Sequence, residues 1–164
     1  MMKDIKVVIK WSEPIELFKP GKYNTDEKFI DHLRKALMEN DSPLLEKNGF
    51  FVFLSGDIIP EERLSVVLIG HSYGSSVKEK ICKLKGHIRE LKCIYRNYKD
   101  ENLYLKIGIV EQLNEKESEE LYNNILCSLV LSNYPSCNEP CKLTALGDIY
   151  IRNTGNFSPL KENS

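Results

Sequence analysis

Two apolar stretches decide the fold of this 164-residue chain: GFFVFL at residues 49–54 and VVLIGHS at residues 66–72. Both are rich in β-branched or aromatic residues, which favour strands. The link between them contains Gly56, Asp57 and Pro60, which favour a turn. The two stretches are therefore predicted to pair as antiparallel strands.

An amphipathic segment follows the second stretch after a short glycine-containing turn. Its apolar residues recur in steps of four, three, four and three: Val77, Ile81, Leu84, Ile88 and Leu91. These steps match one face of an α-helix. The spacing predicts one helix over residues 77–90, so the centre of the chain is expected to be strand, link, strand, turn and helix.

The same signals predict the remaining elements, namely strands over residues 3–11, 103–110 and 148–152 and helices over residues 25–40 and 114–131. The resulting order is β, α, β, β, α, β, α, β. Because strands and helices do not alternate strictly, we expect an α+β protein, loosely α/β, with a mainly antiparallel sheet. The polar tail after Thr154 is expected to be ordered only by docking.

Length and charge restrict the class of protein. The chain is long enough to bury a real core in one domain. Its 23 basic and 24 acidic residues nearly balance, so the overall charge does not indicate a nucleic acid or a membrane as partner. No apolar run is long enough to span a bilayer. The charged start MMKDIKVVIKW is not typical of a secretory signal, and a cytoplasmic location is expected.

The five cysteines are an odd number in a chain of ordinary core size, which favours reduced thiols over a disulfide framework. Cys137 and Cys141 lie four residues apart. With Cys82 or Cys93 and a histidine they could form a zinc site. Because no second close pair is present, partly buried free thiols are the favoured interpretation.

The segment after the second strand is also strongly basic. Its candidate nucleic-acid-binding residues are Lys78, Lys83, Lys85, Arg89 and Lys92, and Lys80 and Arg96 add to the charge. A charge-rich helix is usually a solvated face. The alternative is contact with DNA phosphates, which would be sensitive to salt and indifferent to sequence.

The order of these motifs resembles the GIY-YIG nuclease superfamily, in a degenerate, small stand-alone form. The resemblance rests on GFF at residues 49–51, LIG at residues 68–70 and PSCN at residues 135–138 after the late helix. It covers roughly residues 44–160. The family fold implies a central three-stranded antiparallel sheet flanked by helices. Residues 1–43 would then be a strand–helix extension to a domain of residues 44–164.

The resemblance also implies metal-assisted hydrolysis of a DNA phosphodiester, with Mg²⁺ or Mn²⁺ as the ion. In the family, two tyrosines act on the nucleophile, an arginine clamps the phosphate, a glutamate holds the metal and an asparagine supports the site. Matching the motifs by position places these roles, in that order, on Phe51, Leu68, Lys80, Leu126 and Asn138. Only the asparagine is retained. Lysine lacks the two-pronged clamp of arginine, and leucine cannot ligate a hard cation.

Two hypotheses of different class follow, and an accidental resemblance in an unrelated α+β domain is a third possibility. The first is a non-catalytic module that binds nucleic acid or a protein, with self-association left open. The second is an active endonuclease rebuilt from Tyr73, His71, Lys80 and Glu120, with Glu120 as the candidate metal ligand. Two simpler interpretations oppose the second hypothesis. His71 would be an exposed loop residue, and Glu120 would face about 120° away from Leu126 around the helix.

Overall fold

The computed structural model describes residues 3–18, 25–57, 59–83, 88–144 and 146–164, and it shows an α+β protein. The strands are β1 (Lys3–Trp11), β2 (Ile15–Phe18), β3 (Phe50–Ser55), β4 (Ser65–His71), β5 (Leu103–Leu113) and β6 (Gly147–Gly155). The α-helices are α1 (Asp26–Glu39), α2 (Val77–Cys82), α3 (Ile88–Tyr98) and α4 (Glu119–Asn133). Short 3₁₀ turns occupy Pro43–Glu46 and Glu61–Arg63. The predicted α+β class is confirmed.

The described strands form one sheet in the order β4-β3-β5-β1-β6, and β2 also pairs with β5. β3 is antiparallel to both β4 and β5, and Phe51 lies between Gly70 and Ile107. The antiparallel pairing predicted for the two apolar stretches is confirmed. β1 lies between β5 and β6, antiparallel to β5 and parallel to β6. The sheet thus continues beyond three strands, and the domain boundary after residue 43 stays a prediction.

Apolar cores cover both faces of the sheet at its central strands. Helices α1, α2 and α3 pack on one face, where Phe29, Ile81 and Ile94 surround Phe51 and Phe53. Helix α4 and the C-terminal tail pack on the other face. Successive residues of a strand point to opposite faces. Because β3 is covered on both faces, all six of its residues are buried, which explains its unbroken apolar sequence.

The C-terminal tail follows the outer edge of β6. The Asn153 N–H donates to the Glu162 carbonyl at 2.7 Å, and the Ser164 N–H donates to the Ile151 carbonyl at 3.0 Å. The buried Asn153 side chain accepts a hydrogen bond from Trp11 Nε1 at 2.8 Å and donates to the Lys161 carbonyl at 2.7 Å. These bonds dock the tail onto the first and last strands.

The structure corrects the prediction of a single helix over residues 77–90. Helix α2 ends at Cys82, whereas α3 begins at Ile88 and continues to Tyr98. Leu84 and Lys85 lie outside the described residues. Ser76 caps α2 by accepting a hydrogen bond from the Glu79 N–H at 3.0 Å. The short strand β2 was not predicted.

The structure also corrects the prediction of reduced thiols. Cys93 is bonded to Cys137, and Cys127 is bonded to Cys141, which leaves Cys82 as the free thiol. The Cα atoms of the two pairs are 5.6 and 5.7 Å apart, within the usual range for disulfides. The zinc alternative fails because Cys137 and Cys141 belong to different disulfides. Burial raises the pKa of the Cys82 thiol, so this group stays protonated.

No helix among the described residues has both the length and the apolar character that crossing a bilayer requires.

Candidate functional site

A pocket of about 230 Å³ lies beside the edge strand β4. Residues of α2 and α3 line it from one face of the sheet, and residues of α4 line it from the other. All five positions matched to the family roles line this pocket: Phe51, Leu68, Lys80, Leu126 and Asn138. Positions that are far apart in the sequence are therefore brought to one place.

The inner wall of the pocket is apolar. Phe51 and Leu68 are almost completely buried, and Leu126 and Val130 of α4 are half-buried. Gly70 faces the Phe51 ring across the two strands, and a Cβ atom at Gly70 would overlap that ring. The glycine of the second motif therefore serves the packing of Phe51. No hydroxyl or carboxylate is present at the positions where the family has its tyrosines and its metal ligand.

Asn138 holds the edge of the sheet. Its Oδ1 accepts a hydrogen bond from the Ile69 N–H, and its Nδ2 donates to the Ile69 carbonyl, both at 2.8 Å. The neighbouring Cys137 N–H donates to the Val67 carbonyl, also at 2.8 Å. Residues 136–138 thus cover the outer edge of β4. Because its amide is engaged by the backbone of β4, Asn138 positions the pocket wall.

We expect Asn138→Ala to lower the free energy of unfolding by about 2 kcal/mol, because the N–H and C=O of Ile69 lose their partners. Urea denaturation would measure this loss. Asn97→Ala, at an exposed position of α3, is the matched control, and its change should stay within about 0.5 kcal/mol. Equal stability of the two variants would contradict a structural role for Asn138.

His71 lines the pocket from the end of β4 and is only 8% exposed, so the prediction of an exposed loop histidine is wrong. The Tyr73 N–H donates to Nδ1 of His71 at 3.2 Å. The proton of the neutral ring is therefore on Nε2, which donates to Asn123 Oδ1 at 2.6 Å. Both ring nitrogens are engaged, which leaves no lone pair for a general base in this arrangement.

Tyr73 belongs to an aromatic cluster rather than to the lining of the pocket. Its ring centroid lies 5.0 Å from that of Tyr122, which also stacks on Phe50 at 4.9 Å. The Tyr122 hydroxyl donates to the Glu117 carboxylate at 3.2 Å. Burial and this carboxylate raise the pKa of Tyr122, so its hydroxyl stays protonated. The cluster supports His71 from the α4 face of the sheet.

The basic residues of α2 and α3 have more acidic neighbours than the local sequence indicates. Lys78 pairs with Glu46 at 3.4 Å, Lys83 with Glu79 at 3.8 Å, and Arg89 with Glu139 at 3.3 Å. Lys92 is half-buried on α3, and Lys85 lies outside the described residues. Lys80 differs, because it lines the pocket and its ammonium has no hydrogen-bond or ion-pair partner within the described ranges.

The carboxylates near the pocket differ from the one proposed as a metal ligand. Glu120 accepts a hydrogen bond from Thr144 Oγ1 at 3.0 Å and is not among the residues that line the pocket. Glu90 and Glu139 do line it. Sequence reasoning missed them because they lie on α3 and after α4, outside the family motifs. In the described part of the chain, no three His, Cys, Asp or Glu side chains are grouped to hold a metal ion.

The site is thus an apolar pocket whose wall carries Lys80, which is unpaired within the described residues, together with the carboxylates of Glu90 and Glu139. Glu139 is paired with the exposed Arg89. Lys80 can contact an anion beside this apolar surface, although the two carboxylates oppose an anion inside the pocket. The site lacks the groups that the family uses at the matched positions. Comparison with known proteins found no matching family model, no matching curated protein and no matching solved structure.

Proposed function

We propose that this protein is a non-catalytic member of the GIY-YIG nuclease fold that binds nucleic acid through phosphate contacts. The observation that carries the proposal is the convergence of Phe51, Leu68, Lys80, Leu126 and Asn138 on one pocket. Further support comes from β3, which pairs with both β4 and β5 as the central strand of three antiparallel strands. In this arrangement Phe51 and Leu68 lie on adjacent strands.

The side chains at the matched positions support a non-catalytic role. Metal-assisted hydrolysis needs a carboxylate to hold the ion and a polar group beside the attacking water. Leu126 and Leu68 supply neither group.

A cytoplasmic location is part of the proposal from sequence, although disulfides are more typical of oxidising compartments.

The charges around the pocket support nucleic acid as the partner. The pairs Lys83–Glu79 and Arg89–Glu139 are exposed at both ends. Such exposed pairs contribute at most about 1 kcal/mol to the stability of the folded protein. Phosphates can therefore replace the carboxylates at little cost in free energy. Among the described residues, Lys80 has no carboxylate to displace. These cations would contact the nucleic-acid backbone without reading its sequence.

A gel shift with a short DNA duplex at several salt concentrations tests the proposal. We expect the triple variant Lys80→Met, Lys83→Met and Arg89→Met to weaken binding. It should also flatten the plot of log affinity against log salt by about 0.9 for each phosphate that the variant no longer neutralises. Lys35→Met, which removes an exposed lysine of α1, is the matched control. Unchanged affinity and slope in the triple variant would move the proposal to a protein partner.

An active endonuclease is the second candidate, because Lys80 and the carboxylates of Glu90 and Glu139 line the same pocket as His71. A plasmid-nicking assay in Mg²⁺ or Mn²⁺ at low salt separates the two candidates. Nicking that disappears in both Lys80→Ala and Glu90→Gln would establish a rebuilt site. A shifted plasmid that stays intact at high protein concentration would support the non-catalytic module.

A further inference from the structure

On the face of the sheet that carries α1, α2 and α3, the described helices do not cover β1 and β6. Helices α1, α2 and α3 cover one face of β3, β4 and β5, but β1 and β6 extend beyond them and expose Lys6, Tyr150 and Arg152. Tyr150 is a large aromatic residue that is 54% exposed. In the parallel register of β1 and β6, Lys6 is opposite Tyr150 and Val8 is opposite Arg152. Because alternate residues of a strand share a face, these side chains form one surface, which we call the β1–β6 patch.

The β1–β6 patch lines a concavity of about 530 Å³ whose charged lining is entirely cationic. Lys6 and Arg152 supply this charge, and neither side chain has a hydrogen-bond or ion-pair partner in the part of the chain that the structure describes. The other polar lining residues are Gln112, Asn114 and Asn163, which carry side-chain amides, and the phenol of Tyr150. The patch therefore combines two unpaired cations with an exposed aromatic ring.

Along β1 and β6, the carboxylates nearest to Lys6 and Tyr150 lie at one end of the patch. Asp4 is opposite Asp148 at the start of β1 and β6, two residues before Lys6 and Tyr150. Neither aspartate lines the concavity. The patch thus has an acidic end and a basic centre. An anionic ligand would sit over the centre, on Lys6, Tyr150 and Arg152.

We propose that the β1–β6 patch binds single-stranded nucleic acid. A base stacks on the ring of Tyr150, and the phosphates on either side of that base contact Lys6 and Arg152. A single strand suits this surface because its bases can be turned outwards onto the ring, whereas a duplex keeps its base faces inside the stack. The proposal does not depend on the pocket beside β4, because the two sites share no residue.

The first test is the fluorescence anisotropy of a labelled oligothymidylate titrated with the full chain. We expect Tyr150→Ala to weaken binding about tenfold, as expected for the loss of one stacked base. Tyr150→Phe keeps the ring and should bind like the unchanged protein. Tyr150 is exposed, so both variants should fold, and their thermal unfolding would verify this.

The second test addresses the cations. We expect the double variant Lys6→Met and Arg152→Met to reduce the slope of log affinity against log salt for oligothymidylate by about 1.4. Each phosphate contact on a single strand contributes about 0.7 to this slope. The triple variant of Lys80, Lys83 and Arg89 should leave this binding unchanged. If duplex binding is lost in the triple variant but kept in the double variant, the two sites are separate. Either proposal can then fail without the other.

Three results would overturn the proposal. The first is equal affinity of Tyr150→Ala and the unchanged protein for the oligothymidylate. The second is equal affinity for a duplex of the same length. The third is equal affinity for a polyglutamate peptide, which would assign the β1–β6 patch to an acidic protein partner.

Discussion

The double variant Cys93→Ala and Cys137→Ala is expected to lose about 4 kcal/mol of unfolding free energy, and Cys127→Ala with Cys141→Ala about 3 kcal/mol. The reason is the length of chain that each disulfide closes. Cys93 and Cys137 are 44 residues apart, whereas Cys127 and Cys141 are only 14 residues apart. A longer closed loop removes more conformational entropy from the unfolded chain. The two losses need not add, because the two closed loops overlap from Cys127 to Cys137.

Urea denaturation followed by tryptophan fluorescence would measure both losses. Trp11 is the single tryptophan, and it is buried, so its emission should report unfolding of the sheet. Cys82→Ala is the matched control, because this cysteine is outside both disulfides. Addition of a dithiol reductant to the unchanged protein breaks both disulfides, so it should lower stability by at least the larger of the two losses. An unfolding midpoint that does not respond to the reductant would contradict the disulfide assignment.

Lys106→Met is expected to lower the free energy of unfolding by about 3 kcal/mol, because it removes one partner of a buried ion pair. The Lys106 side chain is only 1% exposed in the middle of the sheet. Its ammonium donates to Glu61 Oε2 at 2.9 Å and to the carbonyls of Asn156 and Ser158 at 2.8 Å. Methionine fills a similar volume but leaves these three oxygens without a donor. The tail and the Glu61–Arg63 turn would both lose their anchor on β5.

The same urea titration would measure this effect. Lys35→Met on α1 removes an exposed lysine and should change stability by no more than about 0.5 kcal/mol. The second variant Glu61→Gln keeps a hydrogen-bond acceptor for Lys106 and should cost less than Lys106→Met. If Lys106→Met were as stable as Lys35→Met, the buried ammonium would contribute nothing net to the fold.

The strands could be predicted from sequence where burial leaves a strong signal. β3 is covered on both faces, so it is apolar throughout, and β4 is apolar where it passes between the helices. The start of α1 was predicted from the capping side chain of Thr25, whereas α4 begins after its cap at Ser118 and not at the predicted residue 114. The short strand β2 lacks such a signal, because its pairing depends on β5, far away in the sequence. The disulfides were missed because cysteine spacing does not show which cysteines meet in space.

The candidate site was predicted only as a set of positions. The family resemblance gave Phe51, Leu68 and Lys80 together with Leu126 and Asn138, and the structure places all five around one pocket. Their contacts could not be predicted. The Asn138 amide binds the backbone of Ile69, a bond that depends on where the chain after α4 crosses β4. The β1–β6 patch was not predicted, because it depends on a parallel register between the two ends of the chain.

Both outer strands of the sheet are occupied by the protein's own chain. Residues 136–138 hydrogen-bond to β4, and Glu162 and Ser164 hydrogen-bond to β6. Open sheet edges are the usual templates for intermolecular β-pairing, which leads to aggregation. Because two segments of the chain cover the edges of its six-stranded sheet, the protein should stay monodisperse when concentrated. Loss of either segment would expose a β-pairing template, so resistance to aggregation depends on segments that lie outside the helices and strands.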